Sequence, residues 1–410
     1  MTKDNVLSRY ILPLLVLVMI AGLFWSRGLL STSLIVFIFI SVIFYSRQGW
    51  AIMKESAWLW GLIILFIIPF ISRAWSEDHY QWTRTVQTKI PLLLLPFCVA
   101  AFMKISAGMH RWILVALVIF SLVATMMSYG SFFSGNYAVE ENLKAKLLPV
   151  SMSNDHVRFS WLLLVVYIFL IDAWMGLRTT DKGWKKWMLI FVIIYFAIYF
   201  HVLAAKTGLL GFYLVNLIAL LKYGRKKILV PGTILLLFIP LLAWSLVPSF
   251  RNRVKFVLWD FQNYSRGNYT EGLSDAPRIL SFKAGASIVQ QHPLLGTGAG
   301  DVLHDAEEWY AEHASFLKPY ERLLPSNQIL YYACAAGILC GLVSFCIFLY
   351  PFFMKNFRHY FSWISFHVVA LMGFLYEIGL EVQYGVFIFG FLGVWLYCRI
   401  KLGLHLDNFK

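Results

Sequence analysis

Apolar residues recur along this chain in long uninterrupted runs, unlike the alternation of a half-buried strand or the narrow stripe of a surface helix. The runs lie near 11–25, 29–45, 57–72, 90–103, 112–128, 159–177, 188–204, 207–221, 228–248, 328–350, 361–377 and 383–398. Most approach the roughly 20 residues that a helix needs to cross a bilayer. The pattern predicts an all-α polytopic membrane protein with about 12 transmembrane helices. The first run has no small-residue cleavage site followed by soluble sequence, so it is expected to be a retained helix and not a signal peptide. The runs at 57–72 and 90–103 are short and are expected to be tilted or broken. A very tight turn, Ala205-Lys206-Thr207-Gly208, joins the seventh and eighth helices.

Two connections are too long to be simple turns. One covers about 129–158, and the other, 249–327, is the only stretch large enough for a small extramembrane unit. The chain therefore divides into helices 1–9 (1–248), a large, mainly helical loop (249–327) and helices 10–12 (328–410). Within the loop, Ala276–Gln291 has helical spacing. Asp301–Lys318 reads as a second helix, with Asp301 as N-cap and Pro319 just past its end.

Composition agrees with the pattern. The 410 residues are 60% hydrophobic and only 14% charged, where a soluble domain carries about 25% charge. This excludes a water-soluble enzyme, a disordered chain and a fibre. The five cysteines all fall in apolar runs, which argues for packing and against disulfides or a metal site. The net charge of +14 favours an anionic lipid surface or substrate. Nucleic acid fits poorly, because the basic residues are dispersed among apolar runs. Of the 35 Lys and Arg, about 19 fall on one side of the helices and about eight in short connections on the other. That bias puts both termini in the cytoplasm and both long connections outside.

Candidate chemistry gathers on the outside. His156 and Arg158 stand just before a span, Lys206 occupies the tip of the tight turn, and Arg278 begins a loop helix. Arg251, Arg253 and Lys255 follow a span directly and suit snorkelling to lipid head groups. Cations converging on one outward pocket would suit a phosphate-bearing lipid substrate. Glu377 and Glu381, spaced i,i+4, are expected on one face of a helix end, either anchoring an outside Arg or Lys or acting as an acid/base pair. Gly296-Thr297-Gly298-Ala299-Gly300-Asp301 lacks the third glycine of a dinucleotide fingerprint and the Gly-Lys-Ser/Thr of a P-loop. It reads as a tight turn, with an anion-binding loop as the alternative. His292, His304 and His313 are the histidines of the large loop, and no spacing suggests a metal site.

These features together resemble the O-antigen ligase and O-antigen polymerase superfamily. The resemblance is carried by Gln291-His292-Pro293-Leu294-Leu295-Gly296-Thr297-Gly298 in the large loop and by Leu324-Pro325-Ser326-Asn327-Gln328 entering a Gly- and Ala-rich helix. The Arg278 helix, the Lys206 turn and Glu377–Gly385 also look like family positions. The resemblance implies a metal-independent, cofactor-free glycosyltransferase at the periplasmic face of the bacterial inner membrane. It would move a glycan from an undecaprenyl-pyrophosphate donor to a lipid acceptor, lipid A-core-like in a ligase, or onto a growing glycan in a polymerase. Arg158, Lys206, Arg278 and His156 would hold the pyrophosphate, with Lys206 standing where the family commonly has Arg. Ser326, Asn327 and His313 would belong to the catalytic set, with Glu377 and Glu381 in support. Ser326 occupies a position where histidine is usual, and serine accepts no proton at neutral pH, so the base would come from His313, His156 or Glu381, or the acceptor would need little deprotonation. Ser326→His is expected to raise transfer if the pocket is otherwise intact. A transporter or flippase for an anionic lipid-linked glycan is the reading from another class, although the chain shows no repeated halves.

Overall fold

A computed structural model describes residues 6–133, 148–178, 183–267, 269 and 271–404. The middle of the 129–158 connection and Lys3, Lys182 and Lys410 of the basic count lie outside these residues. The molecule is 83% helical, with no strand among the described residues, as expected where hydrocarbon offers backbone groups no partner but their own helix.

The helices in chain order are α1 (Leu7–Trp25), α2 (Arg27–Lys54), α3 (Ala57–Ala74) and α4 (His79–Lys104). Then come α5 (Ala107–Phe133), α6 (His156–Arg178), α7 (Gly183–Leu203), α8 (Lys206–Tyr223) and α9 (Lys226–Leu246). The large connection holds α10 (Pro248–Ser265), α11 (Ala276–Gln291) and α12 (Val302–His313). After it follow α13 (Gln328–Ala336), α14 (Ile338–Leu349), α15 (Phe361–Tyr376) and α16 (Gln383–Lys401). Among the described residues, nine helices are long and apolar enough to cross a membrane, and Ile338–Phe353 and Phe361–Tyr376 are shorter apolar helices. The molecule is thus a multi-pass helical membrane protein.

Burial orders the bundle. In α16, 94% of the apolar window is buried, and in α6, 78%, so these helices lie deepest in the bundle; α9, at 6%, forms the periphery. Three local readings change. Helix α4 begins at His79 and not near 90, bends through a 3-10 turn at Leu95–Cys98 beside Pro91 and Pro96, and carries Lys89 inside its span. Helix α12 ends at His313, short of Lys318. The expected span at 328–350 is two helices broken at Gly337, whose φ is +86°.

The loop causes that break. Ile338 N–H donates to Pro293 O (3.0 Å), while Thr297 and Gly298 N–H donate to Cys334 O (2.8 Å) and Ala335 O (3.1 Å). The 293–298 segment therefore satisfies the backbone groups freed at the end of α13. The approach is so close that a Cβ on Gly337 would stand 1.9 Å from Leu294 O. Helices α11, α12 and α13 share one apolar core through Ala284, Val302, Tyr310 and Cys334, so the loop packs directly on the bundle.

Candidate functional site

At the end of the bundle that carries the loop, Arg158, Lys206 and Arg278 come from separate elements into one network. Arg158 lies in the first turn of α6, entered through Met152, Ser153 and Asn154, all at left-handed φ of 57–63°. Non-glycine residues pay about 1–3 kcal/mol each for such conformations, which persist only where the surroundings enforce them. Here Asn154 Oδ1 accepts from Val150 N–H (3.0 Å), and Met152 N–H donates to Phe24 O (3.1 Å). Asp155 Oδ1 then accepts from Arg158 N–H (3.0 Å), fixing the helix start. Lys206 likewise follows a left-handed residue, Ala204 at φ 51°.

Glu377 joins two of the cations. Its Oε2 lies 3.6 Å from Arg158 Nη2, and Arg278 Nη2 donates to its Oε1. Arg158 also donates to Ile378 O (3.2 Å) and reaches Asp155 (3.6 Å), and the Arg278 guanidinium lies 4.7 Å from the Tyr376 ring centre. Lys206 Nζ donates to both Asp275 oxygens (2.5 Å) and to Ser274 Oγ (3.1 Å), and Tyr376 Oη donates to Asp275 Oδ1 (3.0 Å). The 274–275 turn is held by buried Asp260, which accepts from both its N–H groups at 2.8 Å.

Arg253 of α10 is the fourth cation in this field, its neighbours being Asp275, Tyr376, Arg278 and Asp260. Burial lowers the Arg253 pKa. The same burial acts on Arg278, but Glu377, Tyr376 and Asp275 outweigh it and raise that group above an ordinary arginine. The buried Nε atoms of Arg158, Arg253 and Arg278 have no hydrogen-bond partner among the described residues. An unmade bond from a buried donor costs about 1–3 kcal/mol, and more for a charged group. Three such donors in one network leave hydrogen-bonding capacity that an anion or ordered water would meet.

An apolar groove descends from this network between α8 and α15. Its cavity volume is about 500 Å³, with Lys206 and Tyr376 in its lining beside Leu210, Leu214, Leu371 and Leu375. Thr207 lines both this groove and a small pocket containing Arg158 and Glu377. Charge at the mouth and hydrocarbon below match an amphiphile with an anionic head.

Glu377 and Glu381 do not share a helix face, contrary to expectation. Helix α15 ends at Tyr376, Glu377 is extended (φ −149°, ψ 158°), and Glu381 lies in a 3-10 turn. The two carboxylates therefore diverge. Glu381 accepts from Lys89 Nζ at 2.5 Å and from Gln328 Nε2 at 2.9 Å, while Gln328 Oε1 accepts from Leu380 N–H (2.7 Å). Both glutamates serve as anchors of cations.

Of the serine–asparagine pair, Ser326 is buried and Asn327 half-buried. Ser326 is 3% exposed; its N–H donates to Ser281 Oγ (3.1 Å) and its Oγ to Leu324 O (3.2 Å). Asn327 caps α13 by accepting from Leu330 N–H (2.9 Å) and donates to Leu375 O (3.1 Å). His313 stands on the outer end of α12, stacked on Trp309 at 4.9 Å, and His156 Nε2 lies 2.7 Å from Leu148 O. None of these bonds joins either histidine to the cations.

The glycine-rich run is a structural crossing. Thr297 and Gly298 N–H are committed to α13, while Ala299 and Gly300 N–H donate to Ser72 Oγ (2.9 Å) and Ser76 Oγ (3.1 Å). No N–H of those four remains for a phosphate. Asp301 sits at the N-cap position of α12 without capping it, because its carboxylate accepts from Glu77 and Asp78 N–H at 2.9 and 2.8 Å.

Sequence reasoning passed over Lys89, Asp275 and Tyr376. Lys89 had a signal: a lysine inside an apolar span is a site candidate by default. Asp275 and Tyr376 had none, since only the fold brings them to Lys206. The chain matches no protein-family model and no curated protein.

Proposed function

We propose that the chain is an O-antigen ligase-like glycosyltransferase, acting on a polyprenyl-pyrophosphate-linked glycan and a lipid-borne acceptor at the periplasmic face of the bacterial inner membrane. The observation that carries this reading is the network of Arg158, Arg253, Arg278 and Lys206, whose three arginine Nε donors lack a partner among the described residues and whose Lys206 and Tyr376 line an apolar groove that suits an isoprenoid tail. The nine long apolar helices, with α8, the broken α13–α14 pair and α15, supply about 12 crossings. An even count would put both termini on one face, and the basic residues favour the cytoplasm for that face and the outside for the loop.

In the proposed reaction an acceptor hydroxyl attacks the anomeric carbon. The bond from that carbon to the diphosphate oxygen breaks, polyprenyl diphosphate leaves, and the hydroxyl proton passes to solvent or to a basic group. The charge that grows on the leaving oxygen is met by cations already held in place by Asp155, Asp275 and Glu377, so little reorganisation accompanies the step. Strong stabilisation of the leaving group lessens the demand on a base, in keeping with the buried Ser326.

The test is reconstitution of the full chain in vesicles with a lipid-pyrophosphate glycan and a glycolipid acceptor. Release of polyprenyl pyrophosphate in step with glycan transfer is expected, with turnover lowered about 10²–10³-fold by Arg278→Ala. Movement of the donor across the bilayer without covalent change would replace this reading with a transporter. Extension of the donor's own glycan would make the chain a polymerase.

A further inference from the structure

A second large groove lies between α2, α4 and α16, with a cavity volume of about 680 Å³. Its lining is graded. Ser31, Arg84, Gln87, Thr88 and Gln383 supply its polar side chains, near the loop-bearing end, while Ile35, Ile38, Val42 and Leu94 are among the apolar residues of its wall. Gln383 Nε2 donates to Ser31 Oγ at 2.6 Å, tying the start of α16 to the start of α2. Among the described residues no Asp or Glu lines the groove. Its head end is electropositive from two directions: Arg84 is exposed in the lining, and the 28-residue α2 points its N-terminus there, with Arg27 over the Tyr384 ring at 4.8 Å.

The depth is informative. From Ser31 to Val42 the wall of α2 descends about 16 Å at about 1.5 Å per residue. That is half of the roughly 30 Å hydrocarbon thickness of a bilayer, the reach of one leaflet. A water-soluble ligand would leave these walls uncovered. A neutral or zwitterionic lipid would leave the positive head end without a complement.

We infer that this groove is a binding site for a lipid of the leaflet at the loop-bearing end, with a net anionic head group held at Arg84 and chains laid along α2 and α4. The inference needs only the bilayer and stands or falls apart from the transferase reading. It also has a structural consequence. Gln383 in the groove wall is two residues from Glu381, so the lipid abuts the same segment that presents Glu377 to Arg158 and Arg278.

The test uses the full chain in nanodiscs carrying a small fraction of photoreactive phosphatidylglycerol or, separately, photoreactive phosphatidylcholine, with labelled peptides mapped after irradiation. Helix α9 is the internal reference, being lipid-facing and outside the groove. Phosphatidylglycerol is expected to label α2 and α4 several-fold above α9, and phosphatidylcholine to label them equally. Arg84→Gln is expected to cut the phosphatidylglycerol excess about five-fold, the effect of one interfacial cation. Val42→Trp, which fills the apolar wall, is expected to abolish it. Unchanged α9 labelling verifies that both variants remain folded in the bilayer. Equal labelling by the two lipids, or an excess that survives either variant, overturns the inference.

Discussion

Ser326 shows how a single position changes meaning once its surroundings are known. From sequence, restoring the histidine usual in the resembling family looks like a gain of a base. In the fold, Ser326 is 3% exposed and bonded to Ser281 and Leu324. An imidazole in that space overfills it, at a typical cost of about 1–3 kcal/mol. Ser326→His is therefore expected to lower the thermal unfolding temperature in detergent and to give no rise in transfer; higher turnover at unchanged stability would show that the pocket opens around this residue. Arg158, Lys206 and Arg278 were legible as candidates because cations next to apolar runs are conspicuous. Asp155 is a local partner, three positions from Arg158, but Asp275 and Glu377 were not legible, since they reach Lys206 and Arg278 across 69 and 99 positions that no local pattern encodes.

At the scale of elements, the 377–381 segment is held from both sides, by Arg158 and Arg278 at Glu377 and by Lys89 and Gln328 at Glu381. Lys89 is wholly buried, with Nζ 5.1 and 5.5 Å from the ring centres of Tyr331 and Tyr332. Removing one partner of such a pair strands the other charge, at about 3–5 kcal/mol, whereas replacing both with apolar groups is often neutral. Lys89→Met should therefore destabilise the protein strongly, and Lys89→Met with Glu381→Leu should recover much of the loss in thermal unfolding. A double variant no better than the single one would mean that Glu381 is not the group stranded by the lysine's removal. In the loop, buried Glu321 accepts from Gly272 N–H (2.9 Å) and Lys318 N–H (3.1 Å). Burial alone would raise its pKa, but these bonds, with the Tyr269 hydroxyl beside it, hold it below the ordinary carboxylate range. A depressed carboxyl contributes stability that is complete above its unfolded pKa of about 4.3 and is lost as pH falls through the folded value. Limited proteolysis of the loop is thus expected to accelerate as pH falls below about 4.3, and Glu321→Gln should flatten that dependence.

Across the whole molecule, the network of Arg158, Lys206, Arg278 and Glu377 lies at the end that carries the loop, and two apolar grooves open beside the 376–383 segment there. If the basic asymmetry sets orientation, cysteines placed at Leu295 and at Arg225 should react with a membrane-impermeant maleimide from opposite sides of sealed vesicles. Labelling of both from one side would overturn the proposed topology. The all-helical class was legible because apolar runs of span length permit little else in hydrocarbon. The helix breaks were less so. Pro91 and Pro96 mark one in α4, but the break at Gly337 depends on a loop that crosses it from some 40 residues away.

The sequence by itself determined that the chain lives in a bilayer, roughly where most of its apolar helices lie, and that unpaired-looking cations crowd its connections. Those properties are local, set by the transfer of side chains out of water and by the backbone's need for internal hydrogen bonds. Only the tertiary structure decided which carboxylate holds which cation, that the glycine-rich run spends its N–H groups on a broken helix and on Ser72 and Ser76, and that the two glutamates point apart. Such outcomes depend on which distant segments share a few cubic ångströms, and in a low-dielectric interior that proximity decides whether a charge is stranded, paired or left with a donor to offer.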